Sequence, residues 1–216
     1  MKIIKPDIPV TLTIEDNFEK NIRRSIVDES AYECRRVVKS TLCDGELSRL
    51  EAAKVVFESC SFASGTFLKA SFTDVIFRDC DVSNCDFTSS YFNRCEFYGC
   101  KGVGTLFCDC VMYNTSFYSC NLSFSSFAKT KTDRVLFGEC RMDEASLSEM
   151  KLKDTAFHDN GMRGINFFET SLSGVNLSTD NIEGIGVSQS FSELRGAVIS
   201  PEQACIIARM LGIKIE

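Results

Sequence analysis

The residues of this chain best equipped for chemistry are its twelve cysteines. Four of them, Cys80, Cys85, Cys95 and Cys100, crowd into the stretch CDVSNCDFTSSYFNRCEFYGC. Such density suggests a metal centre or a disulfide framework. A metal needs thiolates converging on one point, often from C-x-x-C spacing, and no C-x-x-C occurs here. A disulfide scaffold belongs to an oxidising compartment. The N-terminal MKIIKPDIPVTLTIEDNFEK breaks its apolar residues with Lys5, Asp7 and Asp16, unlike a signal peptide. No segment approaches the roughly 18 consecutive apolar residues of a membrane span. The expectation is a cytoplasmic protein with free thiols and no membrane association.

Catalysis finds no constellation. His158 is the only histidine, it follows Phe157 on an outward phase, and no nucleophile, base and orienting group converge on it. Gly102 and Gly104 in KGVGTLF lack the spacing of a phosphate-binding loop and are expected to mark a thin place in the structure. No catalytic, cofactor-binding or metal-ligating residue and no small-molecule substrate is expected, and the chain does not read as an enzyme. Its net charge of -6 argues against binding nucleic acid, which favours a basic excess, and suits a protein partner that itself binds nucleic acid.

The elements that position the cysteines explain them. Every fifth residue from Ile22 to Val187 is apolar except Gly102 and Thr132, and 14 of the 18 phenylalanines fall in this one phase. Five matches neither the 3.6-residue helix nor the two-residue strand, so the chain must turn a corner after each short side and point one large residue inward per side. Two residues before each centre stands a small one, as at Cys60, Gly65, Ala70, Cys80, Cys85, Ser90, Cys95, Cys100, Cys110, Cys120 and Ser125. One large and one small inward residue per side fill a narrow square core. The cysteines at 60, 80, 100, 120 and 140 recur every twenty residues, and eight of the twelve are therefore packing residues.

The segments CDFTS at Cys85 and VNLST at Val175 resemble the repeat of the pentapeptide-repeat family: small residue, Asp or Asn, Leu or Phe, then two variable residues. The resemblance runs from about 22 to 199 and implies an all-β solenoid, a right-handed quadrilateral β-helix with a short C-terminal helix. A second period of twenty agrees with four sides per coil. Phe57, Phe77, Phe97, Phe117, Phe137 and Phe157 form one ladder, and Phe67, Phe87, Phe107, Phe127 and Phe167 another. Roughly eight coils at about 4.8 Å each make a rod of about 40 Å.

Both ends of such a rod need caps. Residues 1–20 are expected to form an N-terminal capping segment and 21–199 the repeats, degenerate over 21–54. In SPEQACIIARMLGIKIE, Ser200 suits an N-cap, Pro201 the first helical position, Gln203 a capping box and Gly212 the stop, which predicts a helix over about 201–211. Ala204, Ile206, Ile207, Met210, Leu211 and Ile213 leave it apolar nearly all round, so residues 200–216 are expected to cap the shaft and pair with a second copy. This ending is similar to that of the Qnr and MfpA pentapeptide-repeat proteins, carried by Leu194, Gly196, Gln203, Ala204, Leu211, Gly212 and Ile213.

The surface is left to carry function. Residues 139–216 hold 12 acidic and 7 basic residues, and thus -5 of the total. Asp79, Glu96, Glu139 and Asp159, with Asp143, Glu144, Glu149 and Glu169 near neighbouring corners, are expected to form an acidic band. Arg94, Lys131, Arg134, Lys151 and Lys153 mark a basic face. The Qnr and MfpA resemblance implies a rod-shaped homodimer that imitates duplex DNA and binds DNA gyrase or topoisomerase IV, with quinolone resistance as a consequence in that family. Qnr proteins of Gram-negative bacteria carry loops that interrupt the repeat; no interruption is visible here. The alternative is a pentapeptide-repeat scaffold or structural rod serving some other partner.

Overall fold

The computed structural model describes residues 2–215. After β1 (Thr13–Ile14), α1 (Phe18–Val27), β2 (Tyr32–Glu33) and β3 (Arg35–Val38), the chain winds into β4 (Glu51–Glu58), β5 (Ser71–Arg78), β6 (Tyr91–Tyr98), β7 (Val111–Tyr118), β8 (Lys131–Gly138) and β9 (Lys151–His158). These strands stack in parallel with a constant offset of twenty residues, Phe57 on Phe77, Phe77 on Phe97, Phe97 on Phe117. Each strand covers two sides of the coil. The other two sides join their neighbours through single bridges such as Ser61 to Asp81 and Thr66 to Asp86. The result is a right-handed quadrilateral β-solenoid of about seven turns, one fewer than the sequence period suggests.

Corners arise from the backbone. From Glu29 to Glu169 every fifth residue has a positive φ, between 46° and 70°. Most of these residues are not glycine, although the left-handed region costs an L-residue roughly 1–2 kcal/mol. Pairing with the coils above and below holds them there. Gly104 is one of these corners, whereas Gly102 is a side centre whose missing side chain is filled by Leu122, Thr105 and Val82. Neither leaves a thin wall.

The core is built of stacked rings. Phe77, Phe97, Phe117 and Phe137 lie nearly parallel, with centroids 4.6, 4.7 and 5.1 Å apart. Phe87, Phe107 and Phe127 stack on the opposite side and meet the first ladder edge to face. The eight repeat-phase cysteines are all buried and all free. Their hydrogen bonds show a further reason for a small polar residue at this position. Cys85 Sγ donates to the Phe62 carbonyl at 2.9 Å, Cys110 Sγ to Phe87, Ser90 Oγ to Phe67 at 2.7 Å and Thr105 Oγ1 to Val82 at 2.8 Å. Each of these carbonyls also accepts a main-chain amide three residues on, so the thiol or hydroxyl supplies a second bond to the preceding coil and satisfies its own buried donor. Burial pushes the Cys85, Cys95 and Cys110 thiols up to about 12, so they stay protonated. Thr132, the polar exception among the centres, is bonded to Thr155 Oγ1 at 2.8 Å.

The lower end differs from the sequence expectation. Ile22 and Val27 belong to α1 and not to a repeat; Ile22 is buried with Phe18 while Val27 faces solvent. Ile22 and Ile26 are also helically spaced, and α1 closes the shaft by setting Phe18 edge-on against Tyr32, Phe57 and Phe62. Residues 2–12, expected to cap the end, do not. They run up the side of the shaft: the Asp7 amide donates to Asp74 Oδ1 at 2.8 Å and the Ile4 amide to Asn114 Oδ1 at 3.3 Å.

Candidate interaction surface

Outward side chains sort by residue number within the twenty-residue coil. Lys54, Asp74, Arg94, Asn114, Arg134 and Asp154 occupy the corner between the first and second sides. The second corner carries Asp79, Glu139 and Asp159, the third Asn84, Phe124 and Glu144, and the fourth Lys129, Glu149 and Glu169. Asp79, Glu139 and Asp159 therefore line one edge of the rod. Asp143 and Glu144 follow on the adjoining third side and corner. Glu149 and Glu169 do not join them: their numbers differ from Glu139 and Asp159 by ten, half a coil, which puts them on the diagonally opposite corner. The expected single acidic band is thus two separate strips.

Glu96 also stands apart. It is half-buried on the second side, where it lines a cleft of about 290 Å³ with Ile3, Lys5, Tyr98, Tyr118 and Leu136. Along the main strip Glu139 accepts from the Tyr118 and Ser119 hydroxyls, Asp143 pairs with Arg141 at 2.8 Å, and Asp159 lies 3.2 Å from His158. Tyr118 stacks on Tyr98 with centroids 5.9 Å apart and its ring lies against Gly138, where a Cβ would come within 2.9 Å of it. The basic residues Arg94, Lys131, Arg134, Lys151 and Lys153 gather on the first side and corner, across the rod from Asp143. Arg94 there grips Asp74 through two contacts of 2.6 Å; the Asp74 carboxyl, though desolvated, is held below the usual carboxylate range by that guanidinium and the Asp7 amide.

The helix at the upper end, α2 (Pro201–Met210), has the expected capping box: Ser200 Oγ accepts from the Gln203 amide and Gln203 Oε1 from the Ser200 amide. Gln203 does more than the motif foretold. It is buried, and its Nε2 donates to the carbonyls of Leu177 and Asp180, closing the last coil. Ile207 turns toward the shaft and packs on the core, so it belongs to the cap rather than to an outer face. Ile206 is half-buried and Ala204 exposed, while Met210, Leu211 and Ile213 are 40%, 55% and 53% exposed and leave an apolar patch at the tip.

Just below this cap, Asp180 extends the inward ladder of Cys140 and Asn160. Its Oδ1 accepts both the amide and the Nδ2 of Asn160 at 2.8 Å, but Oδ2 is buried with no partner. Burial raises its pKa, opposed only in part by Asn160. A raised folded value means that this group stabilises the fold while protonated and loses that contribution as pH rises through it. Asp180→Asn is accordingly expected to be more stable than wild type near neutral pH and to lack the wild-type decline in thermal melts as pH rises above the ordinary carboxylate range.

Among the described residues no cluster of metal-ligating side chains occurs, and no helix is long and apolar enough to cross a membrane. Two family profiles match the chain: "Pentapeptide repeat region" over residues 110–186 and "Pentapeptide repeats (8 copies)" over 53–88 and 67–101. No curated protein sequence matches it. Among solved structures, one trypsin-treated variant of QnrB1, described as a plasmid-mediated fluoroquinolone resistance protein, is 20% identical, with a TM-score of 0.51 over 84% of this chain and 91% of that one. A second trypsin-treated variant gives 19% and 0.49 over 84% and 90%. HetL, described as involved in heterocyst differentiation regulation in the cyanobacterium Nostoc, gives 16% and 0.35 over 82% and 95%. At this identity the likeness shows the fold.

Proposed function

Because the chain belongs to the pentapeptide-repeat family, whose solenoids offer surfaces rather than reaction centres, we propose that it acts as a DNA-mimicking interaction protein. In this reading its acidic edge docks in the DNA-binding groove of a type II topoisomerase, DNA gyrase or topoisomerase IV, and modulates that enzyme. The observation that carries it is Asp79, Glu139 and Asp159 along one edge of a rigid rod, joined by Asp143 and Glu144 on the adjoining side and corner, with the cluster of Arg94, Lys131, Arg134, Lys151 and Lys153 across the rod. Carboxylates fixed on a rigid rod, Glu139 and Asp159 one coil apart, present charge to a groove built to neutralise phosphates, and steering by such a field is strong at low salt. The description of QnrB1 as a fluoroquinolone resistance protein is consistent with this target.

The rod would be doubled through its tip. Met210, Leu211 and Ile213, with Ala204 and Ile206 beside them, form a patch that a two-fold mate would cover. Leu211→Asp is expected to halve the mass seen by light scattering while the melting temperature of the shaft stays within a few degrees; an unchanged mass would exclude this interface.

The test of function is a gyrase supercoiling assay with and without a quinolone. Inhibition by the purified protein, relieved by raising salt, is the expected result. The repeat runs without a protruding loop through β4 to β9, so inhibition is the primary expectation and drug rescue the second arm. Neither inhibition, rescue nor co-purification with the topoisomerase would refute the assignment.

A further inference from the structure

The N-terminal strap occupies a surface built in repeats. At the first corner, Arg94 Nε holds Asp74 Oδ1 at 2.6 Å and Arg134 Nε holds Asn114 Oδ1 at 2.9 Å. In each pair the same Oδ1 also accepts a main-chain amide, from Asp7 and from Ile4 respectively. Asp74 and Asn114 are two coils apart, roughly 10 Å, and three extended residues span about the same distance. The spacing of acceptors thus matches an extended polypeptide laid along the axis of the rod. Two coils beyond Asn114 the same corner carries Asp154, exposed and outside the bonds made by the strap.

Side-chain recognition accompanies this main-chain rail. Residues two apart on an extended segment face the same way, and Ile3 and Lys5 both line the cleft formed with Glu96, Tyr98, Tyr118 and Leu136. The cleft is lined by apolar surface of Tyr98, Tyr118 and Leu136 and by the carboxylate of Glu96. We propose that the first corner is a docking groove for an extended segment of a protein partner carrying an aliphatic residue and a lysine two positions apart, and that residues 2–7 fill it in the unbound protein. Backbone pairing supplies affinity, and the cleft selects the two side chains. The cleft adjoins the acidic edge through Tyr118, which donates to Glu139, but the recognition proposed here rests on the first corner and on Glu96.

Full-length protein carrying Ile4→Pro and Asp7→Pro loses both strap amide donors and frees the groove. A fluorescent peptide with the sequence of residues 2–11 is expected to bind this variant at least tenfold more tightly than it binds wild type, whose own strap competes. In the same background Glu96→Lys should abolish binding, and a peptide with Lys5→Glu should restore it. Equal binding to wild type and to the proline variant, or no rescue by the charge swap, would overturn the proposal. Should the proline variant melt early, amide exchange at Ile4 and Asp7 of wild type is measured instead with excess peptide: acceleration is expected, and its absence is equally fatal. A wild-type dimer lost on Ile4→Pro would assign the groove to a second copy and overturn the partner reading. None of these measurements involves a topoisomerase.

Discussion

Phe117→Ala is expected to cost about 3–5 kcal/mol of unfolding free energy, a fall in melting temperature of roughly 10 °C for a chain of this size. Phe117 is fully buried, stacked between Phe97 and Phe137, and set edge-on against Phe107 and Phe127 at 5.5 and 5.7 Å. Removing it opens a void in the middle of the shaft, where four neighbouring rings lose contact. The coils above and below are pinned by the strand ladder at Tyr113, Ser116 and Tyr118 and cannot collapse into the gap. In a solenoid each coil touches only its neighbours, so the loss should also split the melt into two steps, one for each half of the rod. Calorimetry checks both. An unchanged melting curve would mean that the ring ladder is not what holds the coils together.

The second large effect concerns the acidic edge. Reversing Glu139, Glu144 and Asp159 to lysine is expected to weaken topoisomerase inhibition about 100-fold at low salt, within the range by which electrostatic steering alters association. All three side chains are exposed, so the thermal melt should barely move. The salt dependence of inhibition should flatten in the same variant, since fewer charges then take part. Reversing Glu149 and Glu169 on the opposite corner, set against the two-residue variant at Glu139 and Asp159, is the charge-matched control and should leave inhibition near wild type. If the two sets behave alike, net charge rather than the edge decides binding.

The inward architecture was legible in the sequence because burial imposes a strict period. A phenylalanine every five residues and a cysteine every twenty leave few alternatives, and both appear in the structure as expected. The separation of Glu149 and Glu169 from Glu139 and Asp159 was legible too, since the numbers alone place them half a coil apart. Other features had no such signal. Corners at Lys69, Asp74 or Glu139 carry no glycine to announce a positive φ, because the pairing of adjacent coils imposes it. Ile22 and Val27 satisfy the five-residue phase by coincidence while α1 obeys helical spacing. The strap is held largely by its amides, which every residue but proline possesses, and only the alternation of Asp74 and Asn114 with Arg94 and Arg134 hinted at a rail. Ile207 and Leu211 look alike in an apolar helix, and only the docking angle of α2 tells the inward one from the outward one.

The twenty-residue offset between coils makes the surface behave like a combination lock. Deleting a whole coil, for example residues 111–130, would shorten the rod and leave every remaining tumbler aligned. Deleting one pentapeptide from the same region keeps all large residues inward, so the core could still close. Everything above the cut, however, turns by a quarter relative to the strap and α1. Glu139 and Asp159 would leave the corner they share with Asp79 and move to that of Asp74. Length changes in this chain are therefore of two kinds, those that resize the rod and those that rewrite its face.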